Sequence, residues 1–336
     1  ILEETYGIIV YQEQIMQIAA ELFGYSLGDA DLMRRAVSKK KKEDLLKHRR
    51  IFIEQGPKHG VDEGAARAIF DDIEFFARYG FNKCVAAETE IVDADTGQLV
   101  RVGDLAAGTR TVGRTLTCDT AHLRLGAGVI TRVMENGVKP VYRLTTQLGR
   151  QIEATANHPF YTFDGWRQLG DLNPGDRIAV PRQVPVEGGH RWPDHEVIVL
   201  GHLLAEGNLC HPHGVYYYTT DEAQLADYIT NVEQFDNTAA SVSRHKGSYS
   251  VYSRRVDRRG ESGVVTFIKQ LGLWGKNSHT KFIPDEVFTL TNDQIALLIA
   301  RLWEGDGHIN ERGRSLYYAT ASERLERQLQ HLLLRL

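Results

Sequence analysis

The chain has 336 residues, a formal net charge of -4 at pH 7, and 42% hydrophobic residues. Its length predicts two or three domains, because single hydrophobic cores stop growing below this size. The absence of a long apolar run and of a signal peptide favours a cytoplasmic protein with no membrane partner. Its three cysteines, Cys84, Cys118 and Cys210, are too few and too scattered for a disulfide framework.

Residues 1–83 are predicted to be helical, because apolar side chains recur there at helical spacing. The two series are Ile8, Ile9, Ile15, Ile18, Ala19, Leu22 and Phe23, and then Ala65, Ala66, Ile69, Phe70, Ile73, Phe76 and Ala77. Between them, Arg34, Arg35 and the lysines at 39–42 form a cationic stretch. Adjacent arginines can bind phosphate oxygens with two bidentate forks, although an exposed helix end is the simpler interpretation.

Beyond Cys84 the pattern changes to short β-branched segments separated by glycine and aspartate turns, which predicts an all-β module. The predicted strands cover residues 89–92, 126–134, 141–145 and 152–155. The segment 140–162 is typical of a hairpin that delivers Thr155 and His158 to one loop. Such a loop is a suitable place for a catalytic pair.

Cys84 can attack the carbonyl carbon of Lys83 in an intramolecular N-to-S acyl shift if the two groups are held close together. The departing nitrogen must be protonated, which suits His158 because an imidazole titrates near neutral pH. Thr155 offers a short donor for the developing oxyanion or for the amide. Taken singly, a cysteine is more often a buried apolar residue, and a His-Pro pair is more often a turn.

The Cys84 junction with Thr155-Ala156-Asn157-His158 downstream resembles the N-terminal splicing half of an intein, a Hint-type domain. The resemblance implies self-cleavage at Lys83–Cys84 without a cofactor, with Cys84, Thr155 and His158 in the roles given above. Inteins end in a His-Asn pair followed by a nucleophile, and residues 332–336 do not match this. We therefore expect thioester formation but no ligation, from a chain that is an excerpt of a longer reading frame.

The chain also repeats itself, since Val-Leu-Gly-His-Leu-Leu-Ala-Glu-Gly at 199–207 matches Ile-Ala-Arg-Leu-Trp-Glu-Gly-Asp-Gly at 299–307. The predicted unit is helix, acid, glycine, loop, strand and helix, in two copies about a pseudo-two-fold axis. Each copy places an acid, Glu206 or Asp306, before its glycine. Two such carboxylates repel unless divalent cations neutralise them, and a pair with Mg²⁺ suits phosphodiester hydrolysis. Either nonapeptide alone would more often be a core helix with a glycine cap.

A basic segment lies between the two copies, with nine Lys or Arg and two acids from Arg244 to Lys281. Such a patch is expected on a polyanion-binding face, although a solvated surface loop is an equal alternative. The candidate DNA contacts are Arg244, Lys246, Arg254, Arg255, Arg258, Arg259 and Lys276. A zinc site formed by His202, Cys210, His211 and His213 is disfavoured by its irregular spacing.

Two further resemblances complete this interpretation. Residues 196–336 resemble the LAGLIDADG homing endonucleases, which implies double-stranded DNA as substrate, Mg²⁺ at Glu206 and Asp306, and Lys276 and Lys281 as basic residues beside the metal. Residues 1–83, with Glu-Glu-Thr-Tyr-Gly and Phe-Ala-Arg-Tyr-Gly-Phe-Asn-Lys, resemble the bacterial DNA polymerase III α subunit. That resemblance implies triphosphate contacts by Arg34 and Arg35, and other replicative polymerase subunits as partners of the spliced parent.

The resulting fold class is multidomain. We expect an α-helical polymerase fingers fragment (1–83), an all-β Hint-type splicing domain (84–187) and an α/β endonuclease with a truncated repeat (196–336). The polymerase family's palm carboxylates are absent, so we expect no polymerase activity from the chain alone. The alternatives are a DNA-binding protein in which both activities have decayed, and a Hedgehog-like self-processing domain.

Overall fold

The computed structural model describes residues 1–2, 9, 12–38, 42–79, 84–120, 122–130, 133, 135, 137–310 and 315–336. They form two compact units. The first contains Ile1–Cys84, Val138–Tyr142 and Ala154–Asp176, and the second contains Val85–Gly137, Arg143–Glu153 and Arg177–Leu336. Because the units interleave along the chain, the expected domain limits at 83, 187 and 196 stay predictions. In the described part of the chain, no helix is both long and apolar enough to cross a membrane.

The first unit begins with helices α1 (Gln12–Phe23), α2 (Leu27–Ser38), α3 (Lys42–Gln55) and α4 (Glu63–Tyr79), as the apolar periodicity predicts. Their core contains Ile15, Ile18, Ala19, Phe23, Ala30, Met33, Val37, Phe52, Ala66, Phe70 and Ile73. Phe52 stacks on Phe23 at 3.8 Å between ring centroids and meets Phe70 edge-on at 5.2 Å. Ile8, the lysines at 39–41 and the side chains of Phe76 and Ala77 lie outside the described part.

The end of α1 depends on a glycine. Gly24 has a left-handed φ of 67°, which only glycine adopts without strain. A Cβ at this position would also lie 2.4 Å from Nε2 of His59. The sequence therefore turns sharply between α1 and α2, and the two helices pack against each other.

Between Cys84 and Gln168, the described residues form eight short strands in four hairpins. They are β1 (Glu90–Val92), β2 (Leu99–Arg101), β3 (Arg114–Asp119), β4 (Arg124–Val129), β5 (Tyr142–Thr145), β6 (Gln151–Ala154), β7 (Pro159–Thr162) and β8 (Gly165–Gln168). The four predicted strands are confirmed as β1, β4, β5 and β6, although residues 131, 132 and 134 are not described. The sequence pattern did not predict β2, β3, β8 or the short helix α5 (Val102–Ala106), because a segment of three to six residues shows little hydrophobic periodicity.

The second unit contains the predicted repeat, and both copies have the expected order of elements. The first copy is α6 (Asp194–Glu206), β9 (Gly207–Asn208), β10 (Tyr216–Thr219) and α7 (Glu222–Val232). After β11 (Thr238–His245), β12 (Ser248–Arg255) and α8 (Gly263–Gln270), the second copy is α9 (Asn292–Asp306), β13 (Gly307–Ile309), β14 (Leu316–Tyr318) and α10 (Glu323–Leu333). The first copy shares a four-stranded sheet of order β11-β12-β10-β9, whereas β13 and β14 form a two-stranded sheet.

Helices α6 and α9 approach each other closely because small residues face each other. A Cβ at Gly305 would lie 2.6 Å from Cβ of Ala205, and one at Gly201 would lie 2.6 Å from Cβ of Arg301. Glycine at these positions removes the clash, and apolar residues of both helices, including Leu200 and Leu298, are fully buried around the contact. The acids that end the two helices are therefore carried to the same end of one helix pair.

Candidate functional site

Cys84 and Thr155 are in direct contact. The backbone N–H of Thr155 donates a 3.0 Å hydrogen bond to the carbonyl oxygen of Cys84, and Oγ1 of Thr155 donates to the same oxygen at 3.4 Å. Thr155 follows β6 immediately and is buried, while Cys84 is partly buried. The structure thus brings together two residues that are 71 positions apart. Lys83, the other side of the expected junction, lies outside the described residues.

His158 closes the turn that begins at Thr155. Its backbone N–H donates to the carbonyl oxygen of Thr155 at 2.9 Å, and its own carbonyl accepts from the N–H of Leu169 at 2.8 Å. The imidazole packs beside the ring of Phe160, with 5.3 Å between centroids. His158 is therefore held on the same rigid turn as Thr155, which is bonded to Cys84. The catalytic roles of Cys84, Thr155 and His158 stay predictions.

The structure adds Lys139, a residue that the sequence analysis missed. Its Nζ lies 4.0 Å from Sγ of Cys84, across a separation of 55 residues in the chain. Like the Thr155 turn, Lys139 belongs to the same compact unit as Cys84. A lone lysine carries no motif, so only the fold could identify this contact.

A second turn, just after Cys84, has a defined pattern of backbone hydrogen bonds. The N–H of Thr89 donates to the carbonyl of Ala86 at 3.0 Å, and that of Val102 donates to the carbonyl of Thr89 at 2.9 Å. The N–H of Gly103 donates to the carbonyl of Ala87 at 2.8 Å. Together these bonds fasten the turn to the start of α5.

The turn with the candidate catalytic residues has the same three bonds. His158 donates to Thr155, Leu169 donates to His158, and the N–H of Gly170 donates to the carbonyl of Ala156 at 2.7 Å. In both turns the glycine packs closely on an alanine, since an added Cβ at Gly170 would lie 3.3 Å from Cβ of Ala156. This set of three backbone hydrogen bonds, called the backbone frame below, is therefore present in both turns.

The sequence does contain a signal for this duplication. Val-Gly-Asp-Leu-Ala-Ala-Gly-Thr-Arg at 102–110 matches Leu-Gly-Asp-Leu-Asn-Pro-Gly-Asp-Arg at 169–177. Alignment on the frame places His158 where the first copy has Thr89. A search for short internal repeats would have linked the two segments before the structure was known.

The predicted acidic residues Glu206 and Asp306 lie close enough to influence each other's charge. An added Cβ at Gly305, next to Asp306, would lie 3.3 Å from Cγ of Glu206. Loss of hydration raises the pKa of Glu206, and the Asp306 carboxylate raises it further. Loss of hydration also raises the pKa of Asp306, although a 3.3 Å hydrogen bond from the Tyr318 hydroxyl opposes this. The positive charge of Lys281 opposes both shifts, but both pKa values stay raised, so ionising the two carboxyl groups together has a net cost.

Lys281 lies beside this pair, whereas Lys276 makes no side-chain contact with it in the described part of the chain. Nζ of Lys281 is buried and donates to the carbonyl oxygens of Leu204 at 3.0 Å and Ala205 at 3.2 Å. Burial lowers the pKa of Lys281 to about 8, although both carboxylates favour its charged form. An ammonium group that loses its proton near pH 8 can serve as a proton carrier as well as a counter-charge.

The basic residues lie at both ends of the β11–β12 ribbon. Arg244 is the next-to-last residue of β11, and its guanidinium lies 5.1 Å from the ring centroid of Tyr249. Lys246 occupies the hairpin turn with a φ of 47°. Six of the seven candidates are exposed, namely Arg244, Lys246, Arg254, Arg255, Arg258 and Arg259, and Lys276 is partly buried. Arg258 and Arg259 lie beyond β12, in the loop that follows it. The ribbon is thus positively charged at its tip and its open end.

The remaining candidates have internal partners. On α2, both Arg34 and Arg35 pair with Asp31, at 2.7 and 2.8 Å. His202 is buried and bonds to Asp227 at 2.8 Å, which leaves it unavailable for the disfavoured zinc site. In the described residues, no group of three or more His, Cys, Asp or Glu side chains is arranged to hold a metal ion.

Comparisons with known proteins identify both ends of the chain. The family described as "Intein splicing domain" matches residues 89–332, and "Bacterial DNA polymerase III alpha subunit finger domain" matches residues 1–60. DNA polymerase III subunit alpha of Thermus aquaticus is 54% identical over 96 residues, which cover 29% of this chain and 8% of that protein. The α-helical first region is therefore polymerase-like.

The remainder of the chain is similar to replicative helicases and to solved inteins. Replicative DNA helicase DnaB of Rhodothermus marinus is 36% identical over 264 residues, which cover 75% of this chain and 28% of the helicase. A solved Ssp DnaB mini-intein, variant M86, is 37% identical, with a TM-score of 0.28, over 30% of this chain and 61% of that one. The chain spans less than a third of the helicase's length. The chain joins a DNA polymerase III α finger region to a DnaB-intein-like splicing segment. Because the match to the splicing family covers more than half of its residues, the chain belongs to the intein splicing domain family.

Proposed function

We propose that this chain carries out the first step of autocatalytic protein splicing at the Lys83–Cys84 junction of an interrupted DNA polymerase III α subunit. The observation that carries the proposal is the pair of hydrogen bonds from Thr155 to the carbonyl of Cys84. These bonds fix the nucleophile beside the turn that holds His158. Intramolecular attack depends on such positioning, which can contribute several powers of ten in rate.

In this step, Sγ of Cys84 attacks the carbonyl carbon of Lys83 and the C–N bond of the junction breaks. The sulfur loses one proton and the departing α-nitrogen gains one, so the reaction is an isomerisation that needs no co-reactant. His158 is the proposed donor to the nitrogen. Thr155 holds the Cys84 peptide in place, and its hydroxyl is the proposed stabiliser of the amide or the oxyanion. No cofactor is required.

Thiol-induced cleavage tests this step. We expect dithiothreitol to release residues 1–83 from the purified chain, as measured by mass spectrometry. Cys84→Ala should abolish the release, whereas Cys118→Ala, which changes an exposed cysteine elsewhere, should leave it unchanged. A wild-type mass that stays constant under thiol would contradict the proposal. Release of the fragment by a sterol-like small nucleophile in preference to thiols would instead favour the Hedgehog-like alternative, although the polymerase flank does not fit that class.

A second proposed activity, supported by the Glu206–Asp306 pair, is metal-dependent cleavage of double-stranded DNA by a homing endonuclease. Both carboxyl groups have a raised pKa, from loss of hydration and, at Glu206, from the neighbouring carboxylate. A divalent cation would relieve that repulsion, and Mg²⁺ commonly binds through one or two carboxylates plus waters, so these donors fit it. Bound there, Mg²⁺ would supply stabilisation of charge on a phosphodiester.

Other residues of the chain provide the proton carrier and the DNA-binding charges that this proposed activity needs. Lys281 can exchange a proton near neutral pH, and the exposed arginines of the β11–β12 ribbon provide positive charge for a duplex. A two-stranded ribbon fits the major groove, where base edges are read. Phosphate contacts by these arginines would make binding fall steeply with salt.

Nicking of a supercoiled plasmid that carries the uninterrupted polymerase site tests the nuclease. Mg²⁺-dependent nicking is expected, and binding of that DNA without nicking would support the alternative of a decayed DNA-binding protein. For residues 1–83, we expect no primer extension by the chain alone, and incorporation of nucleotides would contradict this. Contacts of Arg34 and Arg35 with a triphosphate, and association with replicative polymerase subunits, belong to the spliced parent.

A further inference from the structure

We infer that Lys139 is a further residue of the acyl-shift centre, whose ammonium group stabilises the Cys84 thiolate. The inference rests on the proposed splicing function and assigns a role that neither the intein resemblance nor the motif Thr155–His158 contains. Its starting point is the 4.0 Å distance from Nζ of Lys139 to Sγ of Cys84, at the outer limit for an N–H···S contact. The reactive form of a cysteine is the thiolate, and nearby cations increase its population.

The burial of this segment supports a directed contact. Val138 is fully exposed, with a relative accessibility of 105%, whereas its neighbour Lys139 is partly buried. This reverses the usual preference, in which valine is buried and lysine is solvated. Pro140 follows and disfavours helical geometry at Lys139, so the residue stays extended. The side chain of Lys139 therefore points inward, toward the sulfur, at the expense of the valine.

The other charges near this centre do not substitute for Lys139. His158, on the Thr155 turn, is the proposed proton donor and must change its charge during the step. Arg143, four residues beyond Lys139 on β5, is bonded to Glu153 at 2.9 Å, and that pair is exposed. Lys139 takes no part in the proposed proton transfer. Its ammonium group can therefore act as a constant counter-charge while the sulfur loses its proton and the junction nitrogen gains one.

Alkylation of the three cysteines by iodoacetamide, followed by peptide mass spectrometry at several pH values, tests the inference directly. We expect Lys139→Met to slow alkylation of Cys84 at pH 7 about tenfold and to move its pH profile upward. Alkylation of Cys118 and Cys210, both exposed, should not change and serves as the internal control. Lys139→Arg should retain the wild-type rate within about twofold, and Arg143→Met is the matched loss of a cation on the same hairpin.

Two readouts separate this inference from the proposed function. Thiol-induced release of residues 1–83 should fall with Lys139→Met by about the same factor as alkylation and be restored by Lys139→Arg. Unchanged alkylation of Cys84 in Lys139→Met would overturn the inference, even if the wild-type chain cleaves normally. Slower alkylation in a chain whose wild type is not cleaved by thiol would support the electrostatic role of Lys139 and contradict the acyl shift. Equal effects of Lys139→Met and Arg143→Met would also overturn the inference.

Discussion

The chain contains two internal repeats, and they differ in how the chemistry is distributed between the copies. In the helix repeat, both copies end in an acid followed by a glycine, so Glu206 and Asp306 occupy matching places. In the turn repeat, the backbone bonds are the same, but only one copy has His158, where the other has Thr89. One repeat keeps its functional group twice and the other keeps it once.

The difference follows from what each proposed reaction needs. A cation held between two helices takes a ligand from each of them, so the proposed reaction uses both acids. Protonation of a single nitrogen needs one imidazole, so the second turn is free to keep only the frame. A repeated backbone thus fixes where a side chain can act. The number of functional groups that the reaction needs decides how many copies of the repeat carry such a side chain.

The largest effect is expected from a substitution that removes the difference between the two turns of the turn repeat. His158→Thr gives the Thr155–His158 turn the residue that the Ala86–Thr89 turn has at the matching place, and it removes the proposed proton donor. Thiol-induced release of residues 1–83 should fall by roughly a thousandfold, because general acid catalysis typically contributes 10² to 10⁴ in rate. The rate is measured by mass spectrometry over time. The matched change, Thr89→Ala, should alter the rate less than about threefold, and a comparable loss there would show that both turns carry chemistry.

The next largest effect tests the symmetry of the helix repeat. Glu206→Gln and Asp306→Asn should each reduce Mg²⁺-dependent nicking by about a hundredfold or more, because each removes one carboxylate from the proposed cation pair. Nicking of plasmid DNA is followed on gels, with Glu323→Gln, an exposed acid of α10, as the control. If one substitution were silent and the other inactivating, the acids would not act as a pair.

A smaller effect is expected from Thr155→Ala, which gives the Thr155–His158 turn the alanine that the Ala86–Thr89 turn has at residue 86. The hydroxyl bond to the Cys84 carbonyl is lost, but the 3.0 Å backbone bond remains. Release of residues 1–83 should slow about tenfold, consistent with one neutral hydrogen bond. Thr155→Ser keeps the hydroxyl and should stay near the wild-type rate. A thousandfold loss with alanine would mean that Thr155 acts directly on the oxyanion.

The sequence predicted the elements that have a strong period or a repeated motif. The helices of residues 12–79 and the 100-residue repeat were predicted because apolar spacing and paired glycines specify them locally. Gly207 and Gly307 are examples, since a Cβ at either would lie 2.4 Å from a carbonyl oxygen of the preceding helical turn. Short strands such as β2 were missed because three residues carry too little information.

The contacts of the candidate site were less predictable, because they depend on tertiary positions. The motif indicated that Cys84, Thr155 and His158 act together, but not that Thr155 would bond to the carbonyl of Cys84 itself. Lys139 carried no signal at all, since its neighbour Val138 would have been the expected buried residue. The interleaving of the two units along the chain also has no signal in the local sequence pattern.

The smallest expected effect is on the pH dependence of folding stability, for which the acids at the two ends of α9 have opposite pKa shifts. The pKa of Asp306 is raised in the folded chain, chiefly by loss of hydration, whereas the pKa of Asp293 is lowered by hydrogen bonds from Thr291 and Arg191. A raised pKa means that stability present at low pH is lost as pH rises through the folded value. A lowered pKa means that stability present at neutral pH is lost as pH falls. The helix dipole favours the same difference, since Asp293 lies at the N-terminus and Asp306 at the C-terminus.

Asp306→Asn should therefore raise the thermal unfolding midpoint of the metal-free chain at pH 7, and Asp293→Asn should lower it. The gain from Asp306→Asn should shrink as pH falls below the ordinary pKa of an aspartate, whereas the loss from Asp293→Asn should persist to lower pH, because the pKa of Asp293 is lowered in the folded chain. The measurement is calorimetric unfolding in buffer with a chelator. Adding Mg²⁺ should reverse the gain of Asp306→Asn by stabilising the wild-type pair, because a ligand that binds only the folded state raises its stability. A gain at pH 7 that persists unchanged with Mg²⁺ would count against a cation between Glu206 and Asp306.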